Sequence, residues 1–180
     1  MLTEEQIVKQ RNEIISALLR VDRAGIHQVI AYLFTSGFFT APSSVGRHHN
    51  WKGGLAEHCL GVYHRALKMA EDLPADSIAI AGLLHDICKA SKLYYDGQGN
   101  LQRRPVHIKG HGYRSVKLLD LCGLAMTENE RRTIRWHMGG HHAAESEQEE
   151  VAQTRRLRLW QVIHKADMMD AKYGSAEVVD

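Results

Sequence analysis

Twelve of the 180 residues are histidines, and four of these form an ordered series with two aspartates. His58 lies in GGLAEHCLGVY, His85 and Asp86 are adjacent in AGLLHDICKA, and His111 opens GHGYRSVKLL. His137 closes RTIRWHMGG, and Asp167 lies in VIHKADMMDA. The intervals 58–85, 86–111, 111–137 and 137–167 are 27, 25, 26 and 30 residues, each about one helix and its connection. Helices of a bundle commonly project such donors inward onto one site. Imidazole nitrogens with carboxylate oxygens suit Mn, Fe, Ni, Co or Zn, and suit Mg less well. The expected cofactor is therefore one or two divalent transition metals. A lone helical histidine is usually an ordinary packed or surface residue. The ordered set of six donor-type residues over five predicted helices carries the reading.

Three further groups sit close to this series. Lys89 follows His85 by four residues and Asp86 by three, so a continuing helix puts it on their face, placed to clamp a phosphate. Without that neighbourhood Lys89 would read as a solvated helix-end lysine. Arg47, His48 and His49 precede the helix that carries His58 and are candidate substrate contacts, with ordinary loop residues as the alternative for the two histidines. Between residues 103 and 117, Arg103, Arg104, His107, Lys109, His111, Arg114 and Lys117 occur with no acid among them, a local field for an anionic substrate.

The elements that must position these groups are helical. Thr3 and Gln6 have capping-box spacing, and Ile7, Ile14, Ile15, Leu18 and Leu19 then recur on one face. Further helices are expected over 23–38, 53–72, 110–121, 127–138 and 155–172, with one more from the apolar run 78–84 continuing through HDICKA. Asp96-Gly97 and Gly99-Asn100 lie between short β-prone flanks and predict a small hairpin near 92–104. The polar stretch 141–154 reads as a loop. The expected fold class is all-α, one domain over 1–180, with a core at about 47–172 and the helices of 1–40 packed on it.

Composition narrows the function classes. Hydrophobic residues are 44% and charged residues 24%, ordinary values for a folded globular chain. A net charge of +2 argues against coating nucleic acid by charge alone. No apolar run approaches the roughly 20 residues a membrane helix needs, and the polar start MLTEEQIVKQRNE reads as a cytoplasmic N-terminus with no membrane partner. Cys59, Cys88 and Cys122 form no CxxC pair, and each reads as a small buried hydrophobe.

The order His, His-Asp, His, His, Asp resembles the HD-domain superfamily of metal-dependent phosphohydrolases over residues 47–172. RHHNWKGGLAEHCLGVYHRAL is similar to the HHxxxGGLxxH opening found in bacterial HD-type 3′–5′ exoribonucleases and in HD domains of some conjugation-associated proteins. LLHDICK resembles the family's LLHDIGK, with Cys88 in place of Gly. RWHMGGHH resembles its His-His-Gly segment, but Met138 replaces the second His, a departure from the cyclic-dinucleotide phosphodiesterase branch. HKADMMDA resembles the closing AD segment.

The resemblance implies an HD-domain helical bundle. In it His58, His85, Asp86 and Asp167 hold a first metal, and His111 and His137 hold a second, with Asp86 bridging. It implies hydrolysis of a phosphate mono- or diester by a metal-activated water, with Asp86 and Lys89 as catalytic residues and Lys89, Arg47, His48 and His49 on the substrate. The implied partner is a small phosphorylated substrate such as a nucleotide, or a short single-stranded nucleic acid. Two other readings share the ligand pattern: an HD-fold di-iron oxygenase, and a non-catalytic nucleotide-binding HD module. Lys89 and the basic segment favour phosphate chemistry.

Overall fold

The structure is a computed structural model that describes residues 2–45, 48–90, 93–96, 98–103, 110–141 and 143–174. In chain order these form α1 (Glu4–Leu18), α2 (Ile26–Thr35), α3 (Gly54–Met69), α4 (Ala75–Leu84), a 3-10 turn (Ile87–Lys89), β1 (Leu93–Tyr95) and β2 (Leu101–Arg103). There follow α5 (His111–Leu121), α6 (Glu128–Trp136), a second 3-10 turn (Glu145–Glu147), α7 (Gln148–Thr154) and α8 (Arg158–Tyr173). The fold is all-α, with one antiparallel hairpin that pairs Leu93 with Arg103 and Tyr95 with Leu101.

Local sequence explains where the helices start. Thr3 and Thr127 each accept a hydrogen bond from the backbone N–H three residues on, at Gln6 and Glu130. The side chains of Gln6 and Glu130 reach back to the two threonine N–H groups, completing both capping boxes. The hairpin turn is held by Asp96, whose Oδ1 accepts from the N–H groups of Gln98 and Asn100.

The bundle is built around α4. Every residue from Ser77 to Leu84 is buried, so α4 beyond its first turn has no solvent face and must be enclosed by others. α3 packs against α4 and α8, α6 against α4 and α8, and α5 against α6 and the first 3-10 turn. α1 covers α3 and α4 from outside. Ile14, Leu18, Leu33, Leu55, Ile80, Leu83, Leu84, Ile87, Leu119 and Ile134 are fully buried in one continuous core. At about 25 cal/mol per Å² of apolar surface removed from water, such burial is the main force holding the helices in register.

Two expectations are corrected. The helix of 78–84 does not continue through HDICKA: α4 stops at Leu84, and Asp86, at φ −110° and ψ 13°, leaves helical geometry before the 3-10 turn. On a regular helix His85 and Asp86 would diverge by about 100°. The break lets both side chains turn to the same place. The polar stretch 141–154 is also more ordered than a loop. It forms the second 3-10 turn and α7, anchored by Val151, which is 2% exposed, and Thr154, which is fully buried. One apolar anchor in an otherwise polar stretch gives too weak a periodic signal to read.

Candidate metal centre

α3, the end of α4, α5, the end of α6 and α8 each bring one or two of the six ordered residues to a common point. His58, His85, Asp86 and His137 are at most 1% exposed and Asp167 is 5% exposed. His111 is the most open, with 28% of its side chain exposed.

Asp86 is the centre of the arrangement. Its Oδ2 lies 3.8 Å from His58 Nε2 and 3.5 Å from His85 Nε2. Its Oδ1 lies 3.6 Å from His111 Nε2 and 3.6 Å from His137 Nε2. Asp167 closes the Oδ2 side, with Oδ1 3.2 Å from His58 Nε2 and 4.0 Å from His85 Nε2. One carboxylate thus faces two separate pairs of imidazoles.

The hydrogen bonds behind each ring fix which nitrogen faces the centre. His85 Nδ1 is 2.9 Å from the Gly82 carbonyl and His137 Nδ1 is 2.7 Å from the Ile134 carbonyl. A carbonyl only accepts, so both Nδ1 atoms carry the proton and the Nε2 lone pairs point at Asp86. His58 Nδ1 donates to Asp170 Oδ2 at 2.8 Å, which turns its Nε2 to Asp167. On the Asp86 Oδ1 side the lone pairs of His137 Nε2 and the carboxylate therefore face one another with no proton between them. Asp86 Oδ1, His111 Nε2 and His137 Nε2 are all buried with no hydrogen-bond partner among the described residues. Buried polar atoms are nearly always satisfied, so three that converge mark a candidate site for a bound ion. The sets His58–His85–Asp167 and His85–Asp86–His137 each have donor atoms close enough to hold an ion.

The charge states of His85 and His111 agree with this, whereas His58 is cationic until a bound cation would displace its Nε2 proton. Burial lowers His85 to about 4, with Asp86 only partly opposing it. Burial likewise lowers His111 to about 3. Both rings are neutral near pH 7, the form that binds a metal. Burial also works against a charged His58, but hydrogen bonds to Asp167 and Asp170 overcome it and push this ring up to about 9. Burial opposes ionisation of Asp86 as well, yet Lys89 and the surrounding rings hold it well below the usual carboxylate range.

Lys89 stands on the Oδ2 side, with Nζ 2.5 Å from Asp86 Oδ2 and 17% of its side chain exposed. Burial opposes its charge, but Asp86 outweighs burial and raises it, so the ammonium persists at neutral pH. Cys88 packs in the same turn, its thiol donating to the His111 carbonyl at 3.1 Å and tying the turn to α5.

The loop before α3 supplies His48 and His49. His48 sits over the His58 ring at 5.1 Å between centroids. His49 is 1% exposed and lies 3.5 Å from Asp170. Together with His58 these two form a third set with donor atoms in close reach. Arg47, Arg104, His107, Lys109 and His142 lie outside the described residues.

A supporting residue escaped the sequence reading. Asp170 is fully buried, holds His58 Nδ1, and is faced by Arg65 Nε at 3.6 Å. Gly61 makes room for it: a Cβ there would lie 2.1 Å from Asp170 Oδ1. The signal was present in ADMMDAK, where Asp170 follows Asp167 by three residues and so shares its helix face. Gly112 plays a matching part on the other side. A Cβ there would come within 2.3 Å of the Arg135 carbonyl, so its absence lets α5 meet the end of α6 and sets His111 beside His137.

The family profile of the HD domain matches residues 55–172. The chain belongs to the HD-domain family. Among curated proteins it is similar to the dihydroneopterin 2′,3′-cyclic phosphate phosphodiesterase of Methanocaldococcus jannaschii, at 42% identity over 57 aligned residues. That match takes in 27% of this chain and 23% of the relative, so it spans about a quarter of each. No solved structure matches the chain significantly. Among the described residues, no helix is long and apolar enough to cross a membrane.

Proposed function

We propose that the chain is a metal-dependent phosphohydrolase that cleaves a phosphodiester of a nucleotide-like substrate. The observation that carries this reading is the divided Asp86 carboxylate, with Oδ2 toward His58 and His85 and Oδ1 toward His111 and His137. His58, His85, Asp86 and Asp167 would hold one divalent cation. His111 and His137, with Asp86 shared, would hold a second. Mn, Fe, Ni, Co and Zn fit these donors better than Mg. Divalent cations bound there supply a hydroxide-generating Lewis acid at neutral pH and offset the charge of the phosphate oxygens.

The chain's own groups do the rest. Asp170 and the two backbone carbonyls orient the rings before substrate arrives, which removes that ordering cost from binding. Lys89 keeps a positive charge beside Asp86, where it can pair with a phosphate oxygen or the leaving oxygen. His48, over His58, is the described member of the Arg47–His48–His49 group best placed to meet substrate, while His49 backs Asp170. The cyclic phosphodiester named for the relative supports a diester rather than a monoester substrate.

The test is hydrolysis of bis-p-nitrophenyl phosphate and of 2′,3′-cyclic nucleotides by metal-stripped protein, under anaerobic conditions, with Mn, Ni, Co or Mg restored. Hydrolysis is expected with the transition metals and is expected to vanish in Asp86→Ala while the helical circular dichroism persists. Absence of hydrolysis with every metal, or oxygen consumption by an iron-loaded protein, would overturn the proposal.

A further inference from the structure

A cleft of about 870 Å³ opens beside the Asp86 Oδ1 side, between α5, the end of α6 and the second 3-10 turn. His111 belongs to both places, facing Asp86 with Nε2 and lining the cleft with its ring. The volume falls in the range of small-molecule sites and far exceeds the space a phosphate needs. Its walls differ in chemistry from the metal centre. Tyr113 and Met138, both in its lining, are 37% and 50% exposed, so apolar surface is open to a ligand there. The Arg135 guanidinium lies 5.5 Å from the Tyr113 ring centre and 4.8 Å from that of Trp136, extending a flat surface between the two rings. Trp136 Nε1 and Arg135 Nε are buried with no hydrogen-bond partner among the described residues. Glu147 adds a carboxylate that accepts from Arg135 at 2.6 Å and from the Ala144 N–H at 2.8 Å, and a carboxylate has lone pairs to spare for further donors.

We infer that this cleft binds the planar heteroaromatic ring of the substrate, a purine or a pterin, and leaves the attached phosphate at His111. Flat π-surfaces, a stacked guanidinium and a flexible thioether form a platform for any such ring, and an acidic group at its rim suits ring N–H donors. The inference names the substrate class of the proposed phosphohydrolase and rests on that reading only for where the phosphate lies. Both ring types offer the same stacking area and N–H edge. Stacking of one ring on aromatic side chains gives about a tenfold gain or more in affinity.

The experiment compares guanosine 5′-monophosphate, neopterin monophosphate and ribose 5-phosphate by calorimetric titration of the metal-loaded protein. At least one ring-bearing ligand should bind about tenfold or more tightly than ribose 5-phosphate. A gain for the first alone assigns a purine, and for the second alone a pterin. In Tyr113→Ala the ratio should fall below about threefold, at unchanged metal content. Equal affinities in the wild type, or an undiminished ratio in Tyr113→Ala, would overturn the inference. Guanosine, which has no phosphate, separates the two proposals. Added to metal-stripped protein it should quench tryptophan fluorescence, and the quench should disappear in Trp136→Phe. A quench without turnover of any phosphoester keeps the ring site and removes the phosphohydrolase. Turnover with equal affinities does the reverse.

Discussion

The two sides of Asp86 are built from the same donor types but differ in how they are supported. On the Oδ2 side, His58 is braced by Asp170, which itself touches His49 and Arg65, and the whole set is buried. On the Oδ1 side, His137 is held by the Ile134 carbonyl, and its own backbone and that of Trp136 are tied to α8. His164 Nδ1 donates to the His137 carbonyl at 2.5 Å, and Trp160 donates to the Trp136 carbonyl at 2.8 Å. His111, by contrast, opens onto the cleft. On the proposed reading the Oδ2 side is an enclosed cation site with the Lys89 ammonium beside it, and the Oδ1 side faces the cleft where substrate would arrive. Rigidity and access are thus divided between two faces of one carboxylate, and neither face must supply both.

Breaking the shared element should have the largest effect. Asp86→Ala is expected to reduce phosphodiester turnover by roughly 10³-fold or more, measured as initial rates at saturating metal. The two sides should then separate. His58→Ala is expected to resemble the Asp86 variant, whereas His111→Ala should retain activity within about 10²-fold of the wild type. Equal losses in the two variants would contradict the division.

Asp170→Asn sharpens the comparison by removing only the brace. Metal affinity on the Oδ2 side is expected to weaken by about 10–100-fold, read by chelator competition. Gly61→Ala should act in the same direction, because its Cβ would displace Asp170. Loss of affinity on the Oδ1 side alone would show that Asp170 does not brace His58.

The smallest effect concerns acid stability of the metal-free protein. His85 and His49 are lowered to about 4 and His111 to about 3, from an ordinary 6.5. In acid the unfolded chain takes up protons near pH 6.5 that these buried rings refuse, so their contribution is intact above pH 6.5 and is lost as pH falls toward 4. His58 has the opposite sign: raised to about 9, its contribution is full below pH 6.5 and is lost as pH rises through about 9. Melting should therefore be highest near neutrality and fall by about 5 °C or more between pH 7 and pH 5. A melting temperature that is flat between those pH values would contradict the burial of neutral rings.

The legibility of these features in the sequence follows physical lines. The ordered donors were readable because each falls on its own helix and the spacing repeats. The capping boxes at Thr3 and Thr127 were readable because their chemistry is local. The end of α4 at Leu84 was not, because nothing in LLHDICK signals a break; Asp86 leaves helical geometry through tertiary contacts with rings from three other helices. Asp170 was missed for a similar reason. Its partner His58 is 112 residues away in the chain, and the glycine that admits it, Gly61, looks unremarkable in a helix. The cleft was illegible because Tyr113, Trp136 and Met138 have no shared period and meet only when α5 abuts α6.

The most direct measurement is metal stoichiometry by elemental analysis of Mn-loaded protein, wild type beside His58→Ala, His111→Ala and Asp86→Ala. The account predicts two ions per chain in the wild type, one in His111→Ala and none in Asp86→Ala, with His58→Ala losing at least the enclosed ion. Metal content unchanged in Asp86→Ala would contradict it.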